Sequence, residues 1–243
     1  MMQRENKVVN GFSRFAHQYE SYNRVQKDVA LQLAKMIPSK HYTQIIDLGC
    51  GSGQLYRALL KTDVKFSSFT GLDFSPEMLS LHPTANNVFT FQADFNATGF
   101  LEPYITSSSI LLLSSSALQW SSDLHRTLLH IATKVSEGYF ALFTSGTFQT
   151  LHKVAGVSSP ISSIEEIKNT FQNHFNATFH VKRYELEFPS TEEMFRYIKG
   201  SGVSGGEQRL GFQQTKKVLK EYPLGYLEFE VLFVEGKSLI FQG

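Results

Sequence analysis

Residues 45–53 read IIDLGCGSG. An apolar run suited to a buried strand ends around an acid, Asp47. It passes at once into a turn with glycine at 49, 51 and 53. In open α/β sheets, ligands bind at the carboxyl ends of strands where chain order reverses, and this stretch holds that place after a first strand. Each glycine removes a side chain that would keep backbone from a flat ligand, and each permits the positive φ of a tight turn. A plain strand-to-helix turn needs one glycine, not three.

The rest of the chain supplies partners for such a strand. Segment 12–22 reads as a short aromatic helix with Phe12, Phe15 and Tyr19. In 24–37, Val25, Val29, Leu33 and Ile37 fall four apart on one helical face, and Pro38 helps stop it. Strands are then expected at 43–48, 65–73, 88–93, 109–115 and 139–144, with helices at 54–61, after Pro76, and at 123–135. This alternation argues for a parallel sheet covered by helices on both faces. Beyond Gly146 the pattern changes. Helices are expected near 147–155 and 163–173, a strand at 178–188, and a helix at 191–199. A loop GSGVSGG (200–206), a helix at 207–221 and a strand at 224–234 follow. Two late strands without a crossover between them suggest an antiparallel edge.

The composition narrows the classes of function. Net charge is +1 over 243 residues, so bulk charge makes no case for nucleic acid or an anionic membrane. Residues 1–40 carry seven Lys/Arg against three Asp/Glu, which is either a solvated helix face or a docking side for an acidic partner. One cysteine, Cys50, excludes an intrachain disulfide. MMQRENKVVN is too polar for a signal peptide, and Ile110–Leu113 is far too short to span a bilayer. A cytoplasmic protein is expected. The histidines show no metal-ligand spacing, so no metal is expected.

The turn itself discriminates among ligands. A dinucleotide fingerprint requires G-x-G-x-x-G, and Gln54 stands in its third glycine slot. The pattern D-x-G-x-G-x-G from Asp47 to Gly53 instead resembles motif I of the class I S-adenosylmethionine-dependent methyltransferases. The resemblance implies that Asp47, Gly49, Cys50, Gly51 and Gly53 meet the amino-acid part of that cofactor. Asp73, closing strand two beside Phe74, either accepts the ribose hydroxyls or caps the next helix. Asp94 and Phe95, closing strand three, correspond to the family's adenine contact. Cys50 reads as a small packing residue.

Further segments resemble the malonyl-acyl-carrier-protein O-methyltransferases of biotin synthesis. SSSALQWSSDL (114–124) matches their S-x-x-x-x-Q-W, which trans-aconitate methyltransferases share. FSRFAHQYESYNRVQ (12–26) is similar to the segment that covers their cofactor. FTSGTFQTL (143–151), IKGSG (198–202) and YPLGY (222–226) follow in the same order. The stretch between the last two is shorter than in the family, and FNATGFLEPY (95–104) lacks its compact turn; both bear on acceptor choice.

The resemblance implies a doubly wound, Rossmann-like α/β fold. Its mostly parallel seven-stranded sheet carries an antiparallel edge strand, an N-terminal helical cap and a helical insertion after strand five. Residues 1–40 form the cap over the cofactor, 41–146 the S-adenosylmethionine-binding core, and 147–243 the lid and closing strands. Tyr19 covers the cofactor or packs in the core. Ser114 and Ser115 lie near the reactive methyl. Gln119 and Trp120 line the acceptor side, unless Trp120 is simply core. Lys199 and Tyr226 meet the acceptor carboxylate or the carrier's arm, unless Lys199 is merely solvated. The implied partner is malonyl-acyl carrier protein, whose acidic surface Arg4, Lys7, Arg14, Arg24 and Lys27 would meet. No nucleic acid, no membrane and a monomer are expected. A small free acid such as trans-aconitate is the alternative acceptor, and a non-catalytic S-adenosylmethionine-binding assembly factor the alternative role.

Overall fold

The computed structural model of the protein describes residues 23–107, 109–200 and 210–241, with backbone alone at 199 and 200. The helix expected over 12–22, with Tyr19, lies outside them, as do residues 201–209 and the start of the helix expected at 207. Seven strands are described: β1 (His41–Leu48), β2 (Lys65–Asp73), β3 (Val88–Gln92), β4 (Ile110–Ser115), β5 (Glu137–Phe143), β6 (Phe175–Glu187) and β7 (Tyr226–Ser238). α1 (Arg24–Met36) precedes β1, and α2 (Gln54–Leu59), α3 (Pro76–Leu79) and α4 (Leu124–Lys134) fall among the first five strands. α5 (Gln149–Ala155) and α6 (Ile164–Gln172) follow β5, while α7 (Thr191–Gly200) and α8 (Phe212–Glu221) follow β6. Among these helices, none is long and apolar enough to cross a membrane.

The strands form one sheet in the order β3-β2-β1-β4-β5-β7-β6. The first five run parallel, and β7 runs antiparallel to both its neighbours. This is the mostly parallel doubly wound sheet with an antiparallel pair at one edge. The reversed strand, β7, stands one place in, and β6 takes the edge. β6 and β7 pair from Phe175 opposite Ser238 to Glu187 opposite Tyr226. That mutual pairing carries β6 three residues upstream of its expected start and β7 four residues past its expected end.

Alternation along the strands divides the core in two. Ile45, Leu111, Leu113, Tyr139, Ala141, Phe229 and Val231 share one face with Val25, Val29 and Leu33 of α1. Ile46, Leu112, Phe140, Leu142 and Leu232 share the other with Leu128 and Ile131 of α4 and Phe171 of α6. Central strands are covered on both sides, so β4 reads as an unbroken ILLL with every residue buried. Caps fix where helices begin. Asp123 accepts the Arg126 N–H at the start of α4, and Ser163 and Glu166 form a reciprocal capping box at α6.

The carboxyl edge of the sheet is braced on its far side by Glu230 of β7. Its carboxylate accepts Thr144 Oγ1 at 2.6 Å and takes Arg183 through Nε at 3.0 Å and Nη2 at 2.7 Å. The Thr147 hydroxyl donates to its carbonyl at 3.1 Å. A Cβ at Gly146 would collide with that carboxylate, so the turn after β5 must carry glycine there. Glu228 receives the Thr150 N–H and hydroxyl at 2.9 and 2.8 Å in the first turn of α5. Glu230→Ala strands the buried Thr144 hydroxyl and releases the exposed Arg183 guanidinium to water. It should cost about 2 kcal/mol of unfolding free energy in a denaturant titration, with Glu230→Gln costing less.

Candidate functional site

The chain moves outward from β1 through β2 to β3, then returns to lay β4 on the other flank of β1. The loops leaving β1 and β4 part at this reversal, and a cavity lies there. The glycine turn, the end of β2 and the loop after β4 form its wall, with Gln26 of α1, Met78 of α3 and Phe95.

The glycine turn is stitched to β2 before it bends. The N–H groups of Gly49 and Cys50 both donate to the Leu72 carbonyl, at 2.7 and 3.1 Å. Gly49, Gly51 and Gly53 then take φ of +70°, +52° and +84°, the left-handed conformations anticipated for them. Their bareness serves a different purpose than ligand approach at two of the three. A Cβ at Gly49 would run into that of Ala117 in the loop after β4. One at Gly53 would lie 2.6 Å from Pro83 and 2.8 Å from His82. Protein packs onto protein at those positions, and Gly53 is absent from the cavity wall.

Asp73 binds the turn from below. Its Oδ2 accepts the Gly51 N–H at 2.8 Å, and its Oδ1 accepts the Ser75 N–H at 2.9 Å. The cap of α3 is Ser75, whose Oγ accepts the Met78 N–H at 3.2 Å, so Asp73 does not cap the helix itself. Asp47 is 1 % exposed, and neither of its carboxylate oxygens has a hydrogen-bond partner among the described residues. Burial raises its pKa well above the carboxylate range, and the neighbouring charge of Asp73 raises it further. Burial lifts Asp73 to about 6 against the pull of the Ser75, Gly51 and Phe74 N–H groups. Burial also pushes the Cys50 thiol up. The Cys50 sulfur packs where a Cβ on Gly71 would lie 2.8 Å away, which fits a packing residue.

The loop after β4 sorts the expected residues. Ser115, Trp120 and the unanticipated Ser116 and Ala117 stand on the wall. Ser114 does not: its hydroxyl donates to the Leu48 carbonyl at 2.8 Å, tying β4 to β1. Gln119 is also off the wall, and its Nε2 donates back to the Ser116 carbonyl at 2.8 Å. Ser116 has φ of +60°, and its Oγ is buried without a partner among the described residues. Phe74 and Phe95 are on the wall. Asp94 is exposed, its Oδ1 taken by the N–H and Nδ2 of Asn96 at 2.8 and 2.9 Å. Tyr226 opens β7 away from the cavity wall, its carbonyl accepting the Tyr222 hydroxyl at 2.9 Å. Lys199 lies in α7, and Tyr19 is outside the described residues.

A family described as "Methyltransferase domain" matches residues 45–138, which hold the glycine turn and both reversal strands. A malonyl-[acyl-carrier protein] O-methyltransferase of Acetivibrio thermocellus is 32% identical over 241 residues, covering 87% of this chain and 83% of that one. The enzyme of that name from Neorickettsia risticii is 25% identical over 241 residues, 93% and 94% of the two chains. The chain belongs to the class I S-adenosylmethionine-dependent methyltransferases. Its fold is shared by a chain in the complex of the Haloferax volcanii Trm112 methyltransferase activator with a methyltransferase. There the TM-score is 0.62 at 19% identity, over 95% of this chain and 97% of that one.

The wall of this methyltransferase fits its cofactor. A buried carboxylate without a partner, Asp47, suits the ammonium of a methionine tail. Asp73 gives one acceptor position to each of two N–H groups and keeps capacity for hydroxyls. Phe74, Met78 and Phe95 offer apolar surface to a ring.

The two raised carboxyls set a pH dependence. Between the unfolded pKa near ~4 and the raised folded values, the ligand-free fold binds more protons than the unfolded chain. Its stability therefore declines as pH rises from there through about 6, the value for Asp73. Asp47→Asn removes a buried carboxyl that must either hold a proton or carry a charge with no partner among the described residues. Without ligand the variant should melt higher than wild type at pH 7.5, by about 2–4 °C, and the gap should narrow as pH is lowered. Thermal melts at a series of pH values check this.

Proposed function

We propose that this methyltransferase esterifies the free carboxylate of malonyl-acyl carrier protein, an early step of biotin (pimeloyl) synthesis, in the cytoplasm. The make-up of the cavity wall carries the reading. Among the described residues that line it, the ionisable groups are Asp47, Asp73 and Cys50, with no histidine, lysine or tyrosine. The thiol is held protonated, and Asp73 is committed to the N–H groups of Gly51 and Ser75. A hydroxyl or amine acceptor would have to lose a proton; a malonyl carboxylate arrives ionised at neutral pH. Relatives that bear the name of this reaction match most of the chain.

When bound, S-adenosylmethionine supplies an electrophilic methyl on a sulfonium. The chain's own residues then have to position, orient and exclude water. Asp47 and the backbone at Gly49 and Gly51 hold the amino-acid end, and Asp73 holds the ribose. Phe74 and Phe95 cover the base, with Asp94 near its amine. Ser115 and Trp120 bound the acceptor side. Gln119 fixes the loop between them by holding the Ser116 carbonyl. Tyr19, outside the described residues, is assigned a contact to the cofactor, and the helices after β5 the part of a lid. Lys199 and Tyr226 meet the carrier's arm. A dry cavity strips the carboxylate of hydration and favours attack as the opposite charges neutralise.

A carrier-bound acceptor also needs a landing surface. Lys216, Lys217 and Lys220 are exposed on α8, which leads into the start of β7, and Arg24 is exposed on α1. These exposed basic groups complement an acidic carrier, while Arg4, Lys7 and Arg14 lie outside the described residues.

Methyl transfer should be seen with malonyl-acyl carrier protein and not with free malonate or trans-aconitate, in an assay following the labelled methyl. Transfer to the free acids alone would falsify the carrier reading. Retained cofactor with no turnover on any carboxylate would point to an assembly factor instead. The KM for the carrier substrate should rise several-fold between 50 and 300 mM salt, about the trend expected when exposed charges are screened.

A further inference from the structure

We infer that the Ser116 hydroxyl is a binding group for the methyl acceptor, donating a hydrogen bond to a carboxylate oxygen. This rests on the carboxylate reading above and adds a residue that the motifs do not single out. Three observations converge on it.

The first is backbone conformation. Among the described residues, Ser116 and Phe148 are the non-glycine residues with positive φ. A side chain in the left-handed region is strained, and glycine would make the same turn without that cost. The strained turn is nevertheless held from both ends. The Ser116 N–H donates to the Ala141 carbonyl of β5 at 2.8 Å, and the Ser116 carbonyl accepts Gln119 Nε2 at 2.8 Å. A non-glycine residue clamped in this conformation at a cavity wall implies that its side chain is needed there.

The second is the hydroxyl itself. Ser116 Oγ is buried and has no partner among the described residues. Two hydroxyls of the same stretch are satisfied: Ser114 bonds the Leu48 carbonyl, and Ser121 shares a 2.8 Å bond with Thr127. A buried hydroxyl left without a partner costs stability unless a ligand completes it.

The third is place. β2 and β4 lie on opposite flanks of β1. Asp73 and Phe74 mark the β2 flank, while Ser116 marks the β4 flank with Ser115 and Trp120. The acceptor and the cofactor must approach one carbon from opposite sides in an in-line displacement. With the nucleoside against β2, the acceptor comes from the β4 side. There the attacking carboxylate oxygen forms the O–CH3 bond as the C–S bond breaks, and the bonding pair leaves with sulfur. No proton is transferred, so the Ser116 proton stays on Oγ and serves only to orient the carboxylate.

The test uses the full chain as wild type, Ser116→Ala and Ser116→Gly. Both variants should lose turnover of malonyl-acyl carrier protein, with kcat/KM falling about 10- to 100-fold, the size of a hydrogen bond to a charged group. Calorimetric titration with S-adenosylhomocysteine should give affinities within about two-fold of wild type, because the lost group faces the acceptor. Ser116→Gly should also melt about 2 °C higher than Ser116→Ala, since it alone relieves the turn. A variant that is more stable and binds the product normally, yet turns over poorly, has lost a contact and not its fold. Unchanged kcat/KM in both variants with an active wild type overturns the inference alone. Weakened S-adenosylhomocysteine binding assigns the hydroxyl to the cofactor and overturns it as well. A wild type inactive on the malonyl carrier removes the proposed function, and this inference goes with it.

Discussion

The bond from the Gly51 N–H to the Asp73 carboxylate holds the glycine turn against the end of β2, and the cavity takes its form from that connection. It places two buried carboxyls, Asp73 and Asp47, close enough that each charge opposes the other. Such an arrangement is unfavourable in the empty fold. Burial and like charge both drive the pair toward neutrality, and only Asp73 receives N–H donors in return. A cationic, hydroxyl-bearing ligand reverses the balance, because it supplies the opposite charge and the donors that the protein withholds. A corner that is unfavourable when empty is therefore prepared for a nucleoside with a charged tail.

The same logic extends across β1. The loop after β4 packs onto the turn so closely that Gly49 has no room for a side chain beside Ala117. That contact fixes how far the turn after β1 stands from the loop after β4. Ser114 reinforces it by bonding the Leu48 carbonyl, and Gln119 reinforces it by gripping the carbonyl of a left-handed Ser116. Further out, Glu230 binds the turn after β5 to β6 and β7 through Thr144 and Arg183. The antiparallel pair thus braces a parallel sheet at its carboxyl edge, where α5 and α8 pack together and Val218 is buried.

Local pattern was enough to read most of this architecture. β2 falls at 65–73 as its composition suggests, and the covered run ILLL marks β4 as central. What local pattern misses is set by distant pairing. Nothing within 175–177 announces a strand, yet those residues extend β6 because Ser238, Lys237 and Gly236 lie opposite. At the cavity, residue type was legible and direction was not. Three successive serines at 114–116 look alike in sequence, but one bonds the neighbouring strand and the other two reach the wall. Asp94 resembles Asp47 and Asp73 in position, but it curls onto Asn96 because β3 ends at the exposed margin of the sheet. Gln26 and Met78 reach the wall from α1 and α3, a matter of packing between elements.

Among its described residues the wall carries no histidine, lysine or tyrosine, and its two carboxyls sit buried beside the glycine turn. For an acceptor that arrives ionised, selectivity comes from shape, charge and dryness. An ionised carboxylate is well hydrated in bulk water and attacks a sulfonium slowly there; the enzyme gains by replacing that water with a few fixed donors. Fixed donors in a dry cavity are necessarily without partners until the acceptor arrives, and holding them rigid costs backbone strain. Ser116, with its left-handed backbone and its solitary hydroxyl, shows both costs in one residue. Elsewhere in the loop Ser114 and Gln119 bond carbonyls of the protein itself and keep it stiff, so that the orientation of groups on the wall is fixed before any ligand arrives.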